Sequence, residues 1–185
     1  MNKYYEITIF GRGGEGAKTL AQIIGEGGLL EGYHIQAFPE YGPERRGAPV
    51  KSYVRLSKEV IRLHEPITTP DCIIVMDGRL IETMPGIKDY NGIYIINSNK
   101  DKSYFEKMLK GKKVFVINAS KISLAELKLN NPNIVLVGAY LKLIKNINYK
   151  FIEEIIKREF EKKGKGALVA PNLNCLKKGY DYFRE

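Results

Sequence analysis

The chain has 185 residues, 44% of them hydrophobic and 28% charged, which suits one domain spanning residues 1–185 and burying roughly 70% of its unfolded surface. No apolar run approaches the ~20 residues of a membrane span, and the N-terminus leads into a strand-like segment with no room for a signal peptide, so a cytoplasmic protein is expected. The net charge of +9 admits an anionic partner, yet the lysines are scattered as on solvated helix faces, and no aromatic-rich basic face supports nucleic-acid binding.

In chain order, residues 4–10 alternate and are rich in β-branched and aromatic side chains, predicting a first strand. Glycines follow at once. Residues 18–31 then place Leu20, Ile23, Ile24 and Leu30 at helical spacing, with Gly32 as the stop. Gly25, Gly27 and Gly28 inside that helix cost up to about 1 kcal/mol each against Ala, so close packing against a neighbour is expected. Residues 33–38 read as a second strand, and 39–49 as a loop punctuated by proline and glycine. Residues 50–56 and 60–63 read as a β-hairpin (Val50 to Leu63) turning at Ser57-Lys58.

Residues 72–76, 93–96 and 114–117 are continuous apolar runs, the pattern of strands covered on both faces. Short helices are expected at 103–109 and 123–129. Residues 134–144 open like a strand but keep a helical stripe through Leu136, Val137, Tyr140, Leu141 and Ile144. Phe151, Ile152, Ile155, Ile156 and Phe160 form one face of a last long helix, which Gly164 and Gly166 end. Strands alternating with helices predict a three-layer α/β/α fold with a mostly parallel sheet, Rossmann-like, plus the hairpin.

Gly11, Gly13 and Gly16 spell G-x-G-x-x-G between a strand and a helix, the setting in which bare backbone and unpaired N–H groups meet a pyrophosphate. By pattern alone this loop suits a free-standing NAD-binding oxidoreductase, with Glu40 near the place of a ribose-binding acid. Asp77, Asn97 and Asn118 each follow a buried run, at the sheet edge where ligands collect in open α/β sheets. Their alternative role is capping the next loop or helix. Arg45 and Arg46, fenced by Gly42, Pro43, Gly47 and Pro49, form a restrained cationic loop suited to a phosphate or a partner carboxylate.

Catalytic groups are not evident. No Ser/His/Asp or Cys/His spacing matches a known motif, and His64 reads as a surface residue. Cys72 and Cys175 read as inert thiols, and with His34 and His64 they cannot ligate an iron–sulfur cluster. No metal is expected on this chain.

Taken together, Gly11-Arg12-Gly13-Gly14-Glu15-Gly16-Ala17 after a strand, and residues 36–50 with Pro43-Glu44-Arg45-Arg46-Gly47-Ala48-Pro49 inside them, resemble the gamma subunit of pyruvate:ferredoxin oxidoreductase. The same unit occurs as a domain of single-chain forms of that enzyme. Pro70-Asp71-Cys72 leading to Asp77, Asn97, Val137-Gly138-Ala139 and Gly179-Tyr180 extend the resemblance over nearly the whole chain. Two positions differ, since the family usually has Gln where Glu15 stands and commonly an uncharged residue where Arg79 stands.

The resemblance implies oxidation of a 2-oxoacid with coenzyme A, release of CO2 and reduction of ferredoxin. The proline-flanked arginine motif looks closer to the pyruvate branch than to the 2-oxoglutarate one. Thiamine diphosphate, Mg²⁺ and [4Fe–4S] clusters would sit on sister subunits. The implied partners are alpha, beta and delta subunits, with ferredoxin met through the complex, and neither nucleic acid nor membrane. This chain would contribute assembly and coenzyme A contacts through Gly11, Arg12, Gly13, Gly14, Gly16, Arg45, Arg46, Asp77 and Asn97, with no catalytic residue of its own.

Overall fold

Six strands form one sheet in the order β2-β3-β1-β4-β5-β6. β1 (Tyr5–Arg12), β4 (Cys72–Val75), β5 (Ile93–Asn97) and β6 (Val114–Ile117) run parallel to one another. Their isoleucine and valine runs are buried on both faces, as parallel strands require. β2 (His34–Pro39) and β3 (Pro49–Ser57) complete the sheet, with β3 antiparallel to both β1 and β2. The computed structural model describes residues 3–40 and 47–183.

Strand alternation sorts the core into two layers. Ile7, Ile9, Ile74 and Ile95 face a layer made by α1 (Ala17–Leu30), α4 (Ala119–Leu127), α5 (Asn133–Ile144), α6 (Tyr149–Lys162) and α7 (Val169–Asp181). Phe10, Ile73, Val75, Tyr94 and Ile96 face a thinner layer built on α2 (Leu80–Thr83) and α3 (Lys102–Met108). The expected three-layer α/β/α fold with a mostly parallel sheet is the observed one.

The hairpin expected over residues 50–63 is a correction. Residues 60–63 form no strand. The antiparallel part of the sheet is instead β3 between β1 and β2, with Tyr5 opposite Leu56 on one side and His34 opposite Ser57 on the other. Residues after Ser57 cross the outer face as irregular chain, held by polar anchors. Gln36 Nε2 donates to the Leu63 carbonyl at 2.7 Å, and Arg55 Nη2 to the Glu65 carbonyl at 3.3 Å. Val60 and Leu63 carry strand propensity, but the β3 edge they would have paired with is already taken by β2.

α5 is buried almost all round, so it has only a weak stripe and its opening resembled a strand. α7 was not anticipated. The helix buries Cys175, Leu176 and Gly179 against α5. The glycines of α1 do face neighbours, since a Cβ on Gly27 would stand 2.5 Å from Ile152 Cδ1 and one on Gly28 2.6 Å from Leu56 Cδ2. α4 begins earlier than expected because Asn118 caps it, accepting a hydrogen bond from the Lys121 amide at 3.0 Å.

Candidate functional site at the carboxyl edge of the sheet

The carboxyl ends of β1, β4, β5 and β6 bring the sequence-expected residues to one rim. Gly11 and Arg12 close β1. The loop beyond them is tied to the start of β3, with the Gly13 amide donating to the Ala48 carbonyl at 2.9 Å and the Gly47 amide to the Gly13 carbonyl at 3.1 Å. Gly16 caps α1 in the left-handed region at φ 86°. Asp77 follows β4, and Asn97 is the last residue of β5. Arg45 and Arg46 lie outside the described residues.

Asp77 is the centre of the rim. Its carboxylate accepts from Arg12 Nε at 2.6 Å, and from Arg79 Nε at 2.9 Å and Nη2 at 2.9 Å. Arg12 reaches on to the Gly47 carbonyl through Nη1 at 3.2 Å. Burial works to raise the Asp77 carboxyl, but the hydrogen bonds from Arg79 and Arg12 outweigh it and hold the group below the usual aspartate range. One carboxylate therefore fixes two guanidinium groups. Arg12 Nη2 and Arg79 Nη1 are not used in these bonds.

Glu15 lies on the other side of Arg12. Its Oε2 accepts from the Arg12 amide at 2.8 Å, so a carboxylate of this chain occupies the first backbone donor of the glycine loop. Burial raises its titration range despite that bond, and the nearby Asp77 pushes the same way. The linkage sign follows. A carboxyl with a raised folded pKa is destabilising when ionised, and that cost fades as pH falls through the raised value. Glu15→Gln keeps the acceptor and removes the charge, so it is expected to raise Tm at pH 7, with the difference closing on acidification. Thermal melts from pH 4 to 8 check this; a fall in Tm at pH 7 contradicts it.

Asn97 is a brace. Its Nδ2 donates to the Met76 carbonyl at 2.7 Å and to Ser120 Oγ at 2.9 Å, while Oδ1 accepts from the Ser120 amide at 3.1 Å. It ties β4, β5 and the start of α4 together, as the capping alternative anticipated for such residues. A cleft of about 530 Å³ opens beside it, lined by Glu15, Asp77, Arg79, Asn97, Lys100 and Lys121. Arg79 and the two lysines were not counted as site residues from sequence. The one legible signal was Arg79 two residues after Asp77, a spacing that lets one turn pair them.

The same topology removes the geometry of a nicotinamide reader. β3 sits between β1 and β2, so Glu40, just past β2, is two strands from the glycine loop, roughly 10 Å across the sheet. Glu40 is engaged there, accepting from Tyr53 Oη at 3.2 Å and pairing with Lys51 Nζ at 3.4 Å. A ribose held at the loop would be out of its reach.

Cys72 and Cys175 are buried, and burial pushes both thiols up, Cys175 to about 12. His64 is exposed. Among the described residues no helix is long and apolar enough to cross a membrane.

The described chain is thus a mixed α/β subunit with an arginine–aspartate rim at the carboxyl edge of its sheet and both thiols buried. The chain belongs to the pyruvate ferredoxin/flavodoxin oxidoreductase family, whose model matches residues 6–182. It is 35% identical over 182 residues to the pyruvate synthase subunit PorC of Thermotoga maritima, covering 97% of this chain and 94% of that one. It is 37% identical to the common gamma subunit of the pyruvate and ketoisovalerate oxidoreductases of Pyrococcus furiosus, covering 95% of each.

The crystal structure of the Thermotoga maritima pyruvate oxidoreductase subunit PORC superposes with a TM-score of 0.82 at 31% identity, over 97% of both chains. At 23% identity, and so for the fold alone, the whole chain matches 32% of a 2-oxoglutarate:ferredoxin oxidoreductase chain from Magnetococcus marinus with a TM-score of 0.79. The family resemblance drawn from the two loops is thus the family found, and the expected activity, an oxidoreductase subunit handling pyruvate, is that of its relatives.

Proposed function

We propose that this chain is the gamma subunit of a multi-subunit pyruvate:ferredoxin oxidoreductase and that its Arg12–Asp77–Arg79 rim contacts coenzyme A. The complex converts pyruvate, coenzyme A and oxidised ferredoxin to acetyl-CoA, CO2 and reduced ferredoxin. The observation that carries the coenzyme A reading is the shared carboxylate. Asp77 holds two guanidinium groups in fixed orientation with donors to spare, and guanidinium forks bind phosphate oxygens bidentately. Preorganisation of this kind lowers the ordering cost of binding a flexible anion.

Gly13 and Gly14 keep the neighbouring backbone bare, and Arg45 and Arg46 join the proposal by sequence alone. Thiamine diphosphate, Mg²⁺ and [4Fe–4S] clusters are assigned to the alpha, beta and delta subunits, which also receive ferredoxin. Among the described residues, no group of three His, Cys, Asp or Glu side chains is placed to hold a metal. A gamma subunit common to pyruvate and ketoisovalerate enzymes in Pyrococcus furiosus supports locating 2-oxoacid selection elsewhere. The complex is assigned to the cytoplasm.

The test is reconstitution. Pyruvate- and coenzyme A-dependent ferredoxin reduction is expected only when this chain is assembled with its three partners. Full activity from the partners without it, or a chain that recruits none of them, refutes the assignment.

A further inference from the structure

The glycine loop carries an anion of its own. Glu15 and Arg12 close the turn reciprocally, the Glu15 amide donating to the Arg12 carbonyl at 3.0 Å and the Arg12 amide to Glu15 Oε2 at 2.8 Å. That turn needs an oxygen at position 15, and an uncharged amide oxygen would serve it equally. The charge is surplus to the turn. It stands half-buried in the wall of the cleft, together with Asp77 and Arg79.

Among the described residues, the charged groups acting on Glu15 are Arg12 from β1, and Asp77 and Arg79 from the turn after β4. Glu82 on α2, Lys100 after β5 and Lys121 on α4 share the lining of the cleft, with Glu82 and Lys100 paired at 4.0 Å. While both rim carboxylates are ionised, two guanidinium groups face two negative charges, and this cluster presents no net positive field to an incoming phosphate. The carboxylates differ in their hold on the proton. Asp77 accepts from both arginines and stays ionised, whereas burial, and after it the Asp77 charge, push Glu15 up. Glu15 is thus the member of the pair that takes a proton, and its protonation leaves the cluster with a unit of positive charge.

We infer that Glu15 sets the affinity of the rim for coenzyme A as a proton-linked gate. Ionised, it opposes the phosphates; protonated, it still closes the turn but no longer repels them. Anion and proton favour each other's binding, so the coenzyme is taken up with a proton from solvent. The inference rests on the reading that the rim meets coenzyme A, and it adds the residue that tunes the contact.

The Michaelis constant for coenzyme A in the assembled complex, with and without Glu15→Gln and from pH 6 to 8.5, tests it. Gln keeps the acceptor and removes the charge. At pH 8 the variant is expected to show a KM for coenzyme A roughly three- to tenfold lower, with KM for pyruvate unmoved. The gap is expected to close as pH falls and the unaltered Glu15 protonates, the coenzyme's own titration being common to both proteins. Equal values at pH 8, as a merely turn-forming Glu15 would give, or a gap that does not narrow on acidification, overturns the gate. Should the variant fail to assemble, calorimetry of coenzyme A binding to the unaltered complex at pH 7, in two buffers of different ionisation enthalpy, decides. Net proton uptake supports the gate, and no uptake or net release overturns it. A raised KM for coenzyme A in Arg79→Gln beside an unmoved Glu15→Gln refutes the gate alone, whereas a KM that moves in neither refutes the coenzyme reading of the rim and the gate with it.

Discussion

Arg55→Ala is expected to destabilise the chain by about 3–5 kcal/mol, the cost of breaking a buried ion pair by removing one partner. Arg55 is 1% exposed, in the one strand that runs against the others. Its Nε donates to Glu6 Oε1 on β1 at 2.7 Å, and its Nη1 to Gln36 Oε1 on β2 at 2.8 Å. With Nη2 on the Glu65 carbonyl, one side chain joins three strands to the irregular segment that covers them. Removing it strands the Glu6 carboxylate beneath that segment and frees the segment as well. A Tm fall of roughly 10 °C follows for a chain of this size. Replacing both partners, Arg55→Met with Glu6→Leu, is expected to recover most of the loss, because no lone charge is then buried. Melting curves of the single and double variants check this; a double variant no better than the single one would mean that the covering segment, not the charge, dominates.

Gly138→Ala is expected to cost about 2 kcal/mol or more, lowering Tm by roughly 4–8 °C. α5 and α7 cross backbone to backbone at Gly138 and Gly179. A Cβ on Gly138 would stand 2.1 Å from the Leu176 carbonyl oxygen, and one on Gly179 2.0 Å from the Val135 carbonyl oxygen. Overpacking a core costs about 1–3 kcal/mol, and here the yielding atoms are backbone. The better helix propensity of alanine returns only about 1 kcal/mol. Both substitutions demand the same separation of the two helices, so Gly138→Ala with Gly179→Ala should cost clearly less than the sum of the singles. Additive losses would show that the two contacts yield independently.

These two sites illustrate what the sequence could and could not reveal. The parallel strands were legible because runs such as Cys72–Val75 must be apolar on both faces, and the glycine loop because a tight strand-to-helix turn needs its residues. Gly138 and Gly179 were recognisable as part of a family pattern, but their physical cause was not. It lies in a helix crossing between positions 138 and 179, the second of them in a helix that was not anticipated. The burial of Arg55 was not legible, since local sequence cannot say that residues 58–70 fold over it. The false hairpin has the same origin.

At the rim, Asp77 and Asn97 were marked by their position after buried runs, yet their roles divided only in three dimensions. Asn97 is consumed by Met76 and Ser120, whereas Asp77 organises two arginines. Glu40 looked like a ribose-binding acid because chain distance suggested it, and a strand inserted between β1 and β2 carries it out of reach.

The most direct measurement is the Michaelis constant for coenzyme A in the assembled complex carrying Arg79→Gln. The Arg79 side chain is 75% exposed and, among the described residues, hydrogen-bonds only to Asp77, so assembly should be preserved. Loss of one charge-assisted phosphate contact is expected to raise KM for coenzyme A roughly tenfold, with KM for pyruvate unchanged, and Arg12→Gln added to it should raise the coenzyme A value further. An unchanged KM for coenzyme A in the double variant, with the complex intact, would contradict the proposal that this rim meets the coenzyme.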